Sequence, residues 1–357
     1  MPGKEIDLDF YAPTFEVEIE GRGLAADISK AIISVSVTET WRQASSFNLS
    51  VNNQDLKWHE HPLFKIGSGI TIKMGYAKEL REIIHGKIKG VQVTFPASGA
   101  STMTVNGLDH LDNVMRGFAK KTYSLSDVTY SEAVQQIAGD LNLQSRVDAT
   151  TDKQSKIVIR EGEPFQPFFN DLARRLDYKF YVRGRTLHFR KRKVAGEVLT
   201  LTWGKNLIQF TPHVSLHRQL TKVEVRGYNP KTKEPIVGIA TSGDIEKTES
   251  GGKSGSEMLQ AAGMERVRVI TNRPVFTKAE AEKIAKAELN KANEALVTGD
   301  GSCIGMPGLR PDDYIVLKGL GKRFDGKYHV QTATHTFNNS GYLTSFNVKR
   351  NSSHEPA

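Results

Sequence analysis

Short β-rich runs separated by turn residues fill the last part of the chain. Between Gly305 and Thr344, apolar runs such as Ile315–Leu317 and Tyr328–Val330 alternate with Gly, Pro and Asp. Residues of these three kinds favour tight turns at such spacing, and none of the runs is long enough for a helix. The segment therefore predicts an antiparallel meander at the edge of a β-barrel.

Strand patterning also dominates residues 10–110. Apolar and polar residues alternate in Phe15–Ile19, Ile33–Thr38 and Phe47–Val51. A period of two marks strands that bury one face. About seven such runs predict a closed or nearly closed antiparallel barrel, with an open sandwich as the alternative.

The pattern changes to a helical period in the middle of the chain. A helix is expected over residues 130–141, where Thr129 and Glu132 fit a capping box. A second helix is expected to begin near Pro167, and a hairpin is expected over residues 179–189. These elements indicate a small α+β module.

Strand patterning then returns, with an interruption. The polar, glycine-rich stretch from about residue 240 to 276, notably Ser250–Ser256, predicts a mobile loop. Thr277 with Glu280 predicts the start of a long helix. The last residues, 351–357, are expected to form a frayed tail.

The predicted fold class is mainly β with α+β inserts. It consists of two tube-like antiparallel β-barrels, a small α+β module and a loop-helix insertion. The two β regions do not repeat obviously in sequence, but their similar strand content permits a structural duplication. The predicted division is residues 1–116 for the first barrel, 117–196 for the module, 197–239 and 297–350 for the second barrel, 240–296 for the insertion and 351–357 for the tail.

Composition excludes several classes of protein. The chain has 357 residues and a formal net charge of +9, and it lacks the ~18 consecutive apolar residues of a membrane span. Its N-terminus has no apolar segment typical of a signal peptide. The densest basic run, 183–193, is not interleaved with stacking aromatics, so solvated or partner-facing charge is favoured over specific nucleic-acid binding.

Residues that could carry chemistry do not form a recognisable catalytic set, so we expect no catalytic, cofactor-binding or metal site and no enzymatic activity. The single cysteine, Cys303, has no neighbouring partner in sequence, and Gly252–Ser254 lacks the upstream glycine and strand of a phosphate loop. Zinc needs three or four converging ligands, which two isolated histidine pairs do not supply. Ordinary surface or packed histidines are the favoured interpretation for His59, His61, His213, His217 and His335.

Three ordered stretches carry a resemblance to a known family. They are His61–Ile88 with its Gly-Tyr strand end, continued by the Thr104–Leu111 end of the first β region; the helix and hairpin region 130–189; and the closing meander. Their order resembles the late-control D proteins, which are baseplate hubs of contractile phage tails related to the hub part of type VI secretion VgrG proteins. Asp177 stands where that family usually has Gly, which affects a helix-end turn.

The resemblance implies a homotrimeric, pseudo-six-fold ring that joins a hexameric tail tube to a trimeric spike, with baseplate wedge proteins as further partners. It implies assembly in the bacterial cytoplasm and a place in a virion tail, a phage-tail-like particle or a related machine. In type VI hubs the spike is fused after the last barrel. Because the sequence here ends almost directly after the predicted second barrel, we expect the spike to be a separate chain. The interface residues are unknown from sequence. The alternative function is a glycan- or peptidoglycan-binding module that uses the α+β region.

Overall fold

The structure is a computed structural model of the whole chain. It describes residues 12–76, 79–151, 153–176, 178–191, 199–229, 233–249, 251–273, 275 and 277–354.

Strands provide most of the regular structure, so the chain is mainly β as the sequence predicts. Their bounds in chain order are β1 (Pro13–Ile19), β2 (Arg22–Gly23), β3 (Ile32–Thr40), β4 (Ser46–Asn52), β5 (Gly69–Tyr76), β6 (Glu79–Thr94), β7 (Thr102–Asp109), β8 (Tyr123–Leu125), β9 (Val128–Thr129), β10 (Gln144–Val147), β11 (Lys153–Gln154), β12 (Ile157–Ile159), β13 (Tyr178–Arg183), β14 (Thr186–Lys191), β15 (Leu199–Thr202), β16 (Leu207–Val214), β17 (Lys222–Asn229), β18 (Glu234–Thr241), β19 (Lys253–Ser254), β20 (Val267–Ile270), β21 (Val297–Ile304), β22 (Tyr314–Lys318), β23 (Gly326–Asn338), β24 (Gly341–Arg350) and β25 (Ser352–Ser353).

The helices of the described residues lie between these strands along the chain. They are α1 (Ala26–Ala31), α2 (Leu111–Arg116), α3 (Tyr130–Asp140), α4 (Phe165–Leu176), α5 (Gly255–Ala261) and α6 (Lys278–Asn293). The predicted capping box of Thr129 and Glu132 is present at the start of α3. The second predicted helix begins at Phe165, two residues before Pro167, which places the proline in the first turn where its missing N–H costs nothing.

One large sheet connects the two β regions. Its strand order is β16-β21-β24-β23-β3-β4-β7-β6-β5-β1-β2, and β22 with β15 continues from β23. Strands β3 and β23 join the two regions directly, from Thr40↔Thr332 to Val35↔Phe337. Within the described strands this path stays open at both ends, so two separately closed barrels are not seen.

The alternation that predicted the strands also sets which side chains are buried. Val35 and Val37 on β3 are fully buried, whereas Ser34 and Ser36 between them are only partly covered. Strand β4 shows the same pattern, with Phe47 as one of its buried residues. One face of the large sheet is therefore apolar and packed, and the other is polar.

The described residues form four hydrophobic clusters. The first lies under β1 and β3–β7, and the second packs α2, α3 and α4 on the β13–β14 hairpin. The third lies under β21–β24, and the fourth lies between the β17–β18 pair and α6. Tyr342 of β24 belongs to the first cluster, so the two halves of the large sheet share a core.

The large sheet contains the same strand path twice. The first path is β3-β4-β7-β6-β5-β1 and the second is β16-β21-β24-β23-β22-β15, with the same order of neighbours. Bulges, where one strand carries an extra residue, fall at corresponding places on β3 and β16 and on β6 and β23. The paths differ at their ends, because β1 runs antiparallel to β5 while β15 runs parallel to β22.

The residue registers of the two paths agree as well. One row across the first path reads Ser34↔Ser50↔Thr104↔Gln92. The row at the same distance from the bulges in the second path reads Gln209↔Ser302↔Ser345↔Thr334. The duplication that the sequence left open is therefore present in the backbone, although the side chains have diverged.

The stretch expected to be a mobile loop is instead built into the fold. Strand β19 pairs with β25, and Ser254 caps α5 with Glu257 in a capping box. The tail expected to fray is buried at Asn351, Ser352 and Ser353. The polar composition that suggested mobility supplies the hydrogen bonds that tie these two segments together.

Replacing Asn351 with alanine is expected to loosen residues 246–254. The Asn351 Oδ1 accepts hydrogen bonds from the Thr248 amide at 2.7 Å and hydroxyl at 2.8 Å, and its Nδ2 donates to the Glu246 carbonyl at 2.6 Å. Losing these bonds should speed amide exchange in this segment roughly ten-fold or more, since each 1.4 kcal/mol is a factor of ten. Hydrogen-exchange mass spectrometry measures this, with β3 and β4 as internal controls; equal protection in both proteins contradicts the anchoring role.

Candidate functional site

The feature that best defines a functional surface is the polar face of the large sheet. Small hydroxyl and amide side chains occupy every second position along each strand and adjoin one another across neighbouring strands. The central ones are Ser36 and Thr38 on β3, Asn48 and Ser50 on β4, and Thr334 and Thr336 on β23. The face continues through Thr104 and Asn106 on β7, Ser345 and Asn347 on β24, and Asp300 and Ser302 on β21.

Hydroxyl pairs join the two strand paths on this face. Thr38 and Thr334 lie 3.1 Å apart between hydroxyl oxygens, and Ser36 and Thr336 lie 3.4 Å apart. Such cross-strand pairs stabilise a sheet and fix its register. The β3–β23 joint therefore continues the polar face from one path to the other without a break.

Beneath the joint, a buried ionic group links both paths. The Arg310 guanidinium donates to the Glu39 carboxylate at 2.5 Å and to the Ile83 and Glu82 carbonyls at 2.9 and 2.6 Å. Burial raises the pKa of Glu39, but Arg310 and His335 outweigh this effect and hold that pKa below its usual value. Glu39 is therefore a carboxylate at neutral pH, held between β3, β6 and the turn before β22.

His335 packs against the same group as a buried, hydrogen-bonded residue, as the sequence predicts. Its Nδ1 lies 2.8 Å from the Tyr342 hydroxyl and its Nε2 lies 3.2 Å from the Leu309 carbonyl. Burial lowers the pKa of His335 despite the nearby Glu39 carboxylate. The neutral ring donates from Nε2 and accepts at Nδ1, so both nitrogens already have structural partners.

A cavity of about 300 Å³ lies where the β13–β14 hairpin meets the large sheet. Trp41, Tyr181 and Arg183 contribute to its wall. Across it, Lys179 of β13 pairs with Asp312 at 3.2 Å, and Asp312 also contacts His329 at 3.0 Å. These charges compensate one another, so the cavity functions here as a polar joint between the module and the sheet.

Asp109, at the end of β7, has an unusual titration. Burial raises its pKa from 3.8 to about 6, although its carboxylate accepts hydrogen bonds from the Ser45 and Leu111 amides. The folded pKa lies above the unfolded one, so ionised Asp109 lowers stability above pH 6. That cost disappears as the pH falls toward 4.

The Asp109→Asn variant is expected to lack this pH response. The wild type should gain about 2 kcal/mol of unfolding free energy relative to the variant between pH 7.5 and pH 4.5, from the pKa values 3.8 and about 6. Denaturant titrations of both proteins at the two pH values measure this, and taking the difference removes the contribution of the other carboxylates. A difference that is the same at both pH values contradicts the assignment.

The other residues considered in the sequence lie apart from one another. His59 contacts Asn53, His61 caps the turn Pro62–Phe64, and His213 is exposed on β16. His217 lies in the loop that follows β16. Cys303 is buried on β21, and burial raises the pKa of its thiol to about 12.

Neither a metal centre nor a phosphate loop emerges from these residues. In the part of the chain that the structure describes, no group of three or more His, Cys, Asp or Glu residues is placed to hold a metal ion. Gly252–Ser254 leads into α5, where the Ser254 hydroxyl is bound to Glu257. In the basic run, Arg183 packs over the Tyr181 ring, and Arg192 and Lys193 lie outside the described residues.

The sequence patterns assigned no role to the polar strand positions beyond being the unburied face of each strand. The signal for a functional surface was that serine, threonine and asparagine, rather than lysine and glutamate, fill those positions in Ser34–Thr38 and Asn48–Asn52. Among the described residues, no helix has both the length and the apolar character needed to cross a bilayer.

Solved structures with this fold come from phage tails and from type VI secretion. The 43 kDa tail protein of prophage MuSo2 from Shewanella oneidensis aligns with a TM-score of 0.76 and 15% identity, covering 95% of this chain and 98% of that one. A tail protein from Neisseria meningitidis aligns with a TM-score of 0.69 and 13% identity, covering 95% and 97%. The c3393 protein of E. coli, a type VI secretion component, aligns with a TM-score of 0.56 and 12% identity, covering 96% and 79%.

The chain therefore has the fold of these tail and type VI secretion proteins. It belongs to the Alg8 N-terminal domain family, whose model matches residues 11–339. This family match does not confirm the resemblance to late-control D proteins, and the solved structures show a fold shared with phage tail and type VI secretion proteins. No curated protein matches the chain in sequence.

Proposed function

We propose that this chain is a non-enzymatic baseplate hub subunit of a contractile injection machine. Three copies form a pseudo-six-fold ring between a hexameric inner tube and a trimeric spike, within a phage tail or a related particle. The observation that carries the proposal is the strand path that occurs twice in one sheet with matching registers and bulges. Three chains with two such units each supply the six related units that a six-fold tube end requires.

The polar face supports the same role. In the proposed ring it lines the central channel, where small hydroxyl and amide groups keep a hydrated wall. A wall of this kind holds few fixed charges that would bind and retain a passing chain. The apolar face is then turned away from the channel, where strands of the same path pack against one another in the first and third clusters.

The proposed division of labour follows the predicted domains except in the second β region. We assign the first ring unit to residues 12–116, as predicted, and the second to residues 199–214 and 297–350. Strands β17 and β18, which the sequence places in the second barrel, instead form a separate sheet with β20 beside α6. This sheet and the module of residues 117–196 lie outside the ring units, and baseplate wedge proteins are the proposed partners of these outer parts. In this proposal Glu39 and His335 serve structure rather than chemistry, since Glu39 pairs with Arg310 and the His335 nitrogens contact the Tyr342 hydroxyl and the Leu309 carbonyl.

The test is direct imaging of the full-length protein with the tail-tube protein of the same particle. Mass measurement by light scattering and negative-stain averages should show a three-chain ring with an open centre that seats on six-fold tube ends. A mass of one or two chains in the presence of tube ends, or particles without a central opening, contradicts the proposal.

A further inference from the structure

Among the described residues, the large sheet has several open backbone edges, including one along β16 and one along part of β6. Apart from an isolated bridge between Leu207 and Trp203, β16 pairs with β21 alone among the described strands. On β6, pairing with β5 ends at Lys87, and within the same part of the chain residues 90–94 pair only with β7. Long open edges are sites where another strand adds, unless they are blocked.

The duplicated strand path relates these two edges to a joint that already exists. Inside the chain, β3 pairs with residues 332–337 of β23, on the side of β23 opposite to β24. By path order and bulge position, the counterpart of β3 is β16, and the counterpart of residues 332–337 is residues 90–95. The two open edges therefore correspond to the two sides of the β3–β23 joint.

We propose that β16 of one copy pairs antiparallel with residues 90–95 of a second copy, repeating the β3–β23 joint between chains. This inference rests on the proposed ring, because it names the contact that closes it. Carrying the internal register across gives five residue pairs, with the second copy's residue first: Val91↔Val214, Gln92↔His213, Val93↔Pro212, Thr94↔Thr211 and Phe95↔Phe210.

The side chains in this register match in chemistry. Thr94 faces Thr211 where Thr336 faces Ser36 in the internal joint, and Gln92 faces His213 where Thr334 faces Thr38. The alternate positions pair apolar residues, in the sets Phe95 with Phe210, Val93 with Pro212 and Val91 with Val214. A slip of one residue would place apolar side chains opposite polar ones, so the pattern specifies one register.

Exposure in the single chain agrees with a missing partner. Phe95 is 64% exposed although it directly follows a strand, and Ile208 at the β16 bulge is 52% exposed. The counterpart of Ile208 on β3 is Ile33, which is 39% exposed. Pro212 has no N–H and removes at most one hydrogen bond from the new ladder.

The contact joins two different edges, so it is head-to-tail and propagates until a ring closes. A symmetric dimer would instead pair β16 with β16 or β6 with β6. This difference allows the pairing to be tested with single cysteines in two distinguishable chains.

The experiment mixes full-length Thr94→Cys and Thr211→Cys proteins that carry tags of different size, and oxidises them with diamide. Directly opposed residues in antiparallel strands lie at about 4.5–5.5 Å between Cα atoms, which suits a disulfide. The mixed disulfide dimer should form at least ten-fold more than either same-variant dimer. Cys303 is present in both proteins, buried with a thiol pKa of about 12, and the unmixed variants report any contribution from it.

Pro212→Cys provides the matched control, because it is adjacent in the register but lies on the opposite face. Mixed with Thr94→Cys, it should give at least ten-fold less disulfide than Thr211→Cys. A single chain carrying both Thr94→Cys and Thr211→Cys should oxidise to a closed covalent ring whose mass gives the number of copies.

The outcomes separate this inference from the proposed function. Rings of three chains without the Thr94–Thr211 disulfide overturn the edge pairing and leave the hub proposal standing. Same-variant dimers overturn it in favour of symmetric pairing. Chains that neither assemble nor cross-link, even with tube ends present, overturn both.

Discussion

Replacing Arg310 with methionine is expected to lower the free energy of unfolding by about 3 kcal/mol, because it leaves the Glu39 carboxylate buried without its cation. Arg310 and Glu39 are 14% and 15% exposed in their side chains, so water can replace little of the lost interaction. Two backbone carbonyls, of Ile83 and Glu82, also lose their donor. Urea titration followed by near-ultraviolet circular dichroism measures the change.

The control is a matched arginine whose ion pair is exposed. Arg160 pairs with Glu163 at 3.5 Å, and the two side chains are 78% and 44% exposed. Arg160→Met should therefore cost no more than ~1 kcal/mol. Equal effects of the two substitutions contradict a special role for the buried group.

A double variant separates the cost of an unpaired charge from the value of the pair. Glu39→Gln combined with Arg310→Met should recover part of the loss, since no charge is then left buried alone.

Acid should lower the free energy of unfolding of the wild-type protein. The pKa of Glu39 is lowered in the folded protein, so its stabilising contribution is present above the unfolded pKa and is lost as the pH falls.

The sheet could be predicted from sequence because strand alternation is a local property. Val35 and Val37 alternate with serines, and that pattern alone assigns one buried and one polar face. The capping boxes of α3 and α5 are equally local, yet only the first was recognised. The glycines around Lys253 suggested mobility, while the residues that fix this segment lie about a hundred positions away at Asn351 and Ser352.

The duplication could not be predicted from sequence for a different reason. Equivalent positions share their place in the backbone ladder but not their chemistry, as with Val37 and Pro212 or Glu39 and Val214. Sheet register depends on hydrogen bonding between strands and on alternation, both of which tolerate such changes. Only the strand neighbours and bulge positions retain the relationship, and these require the folded chain.

The divergence between the two paths follows from what each joint must do. Inside the chain, the β3–β23 joint is supported by the buried Arg310 group and by the shared core at Tyr342. At the open edges, the counterparts of Glu39 and His335 are the apolar residues Val214 and Val93. In the proposed ring, these apolar edges avoid the cost of burying a new charge each time two copies meet.

Replacing Phe95 with aspartate is expected to abolish assembly of the full-length protein. In the proposed register Phe95 packs against Phe210 of the next copy at the end of the new strand pair. A buried carboxylate there should weaken each contact on the order of a hundred-fold, and a ring repeats the loss at every contact. The melting temperature of the single chain should change little, because Phe95 is already 64% exposed.

Tyr228→Asp supplies the matched control, since Tyr228 is 57% exposed but lies on β17, away from both open edges. Light scattering over a concentration series, with tube ends present, should show rings for the wild type and Tyr228→Asp and single chains for Phe95→Asp. Rings that persist in Phe95→Asp would place the contact elsewhere on the sheet. Loss of assembly in both variants would show instead that added negative charge on this basic chain, rather than a specific strand pair, controls association.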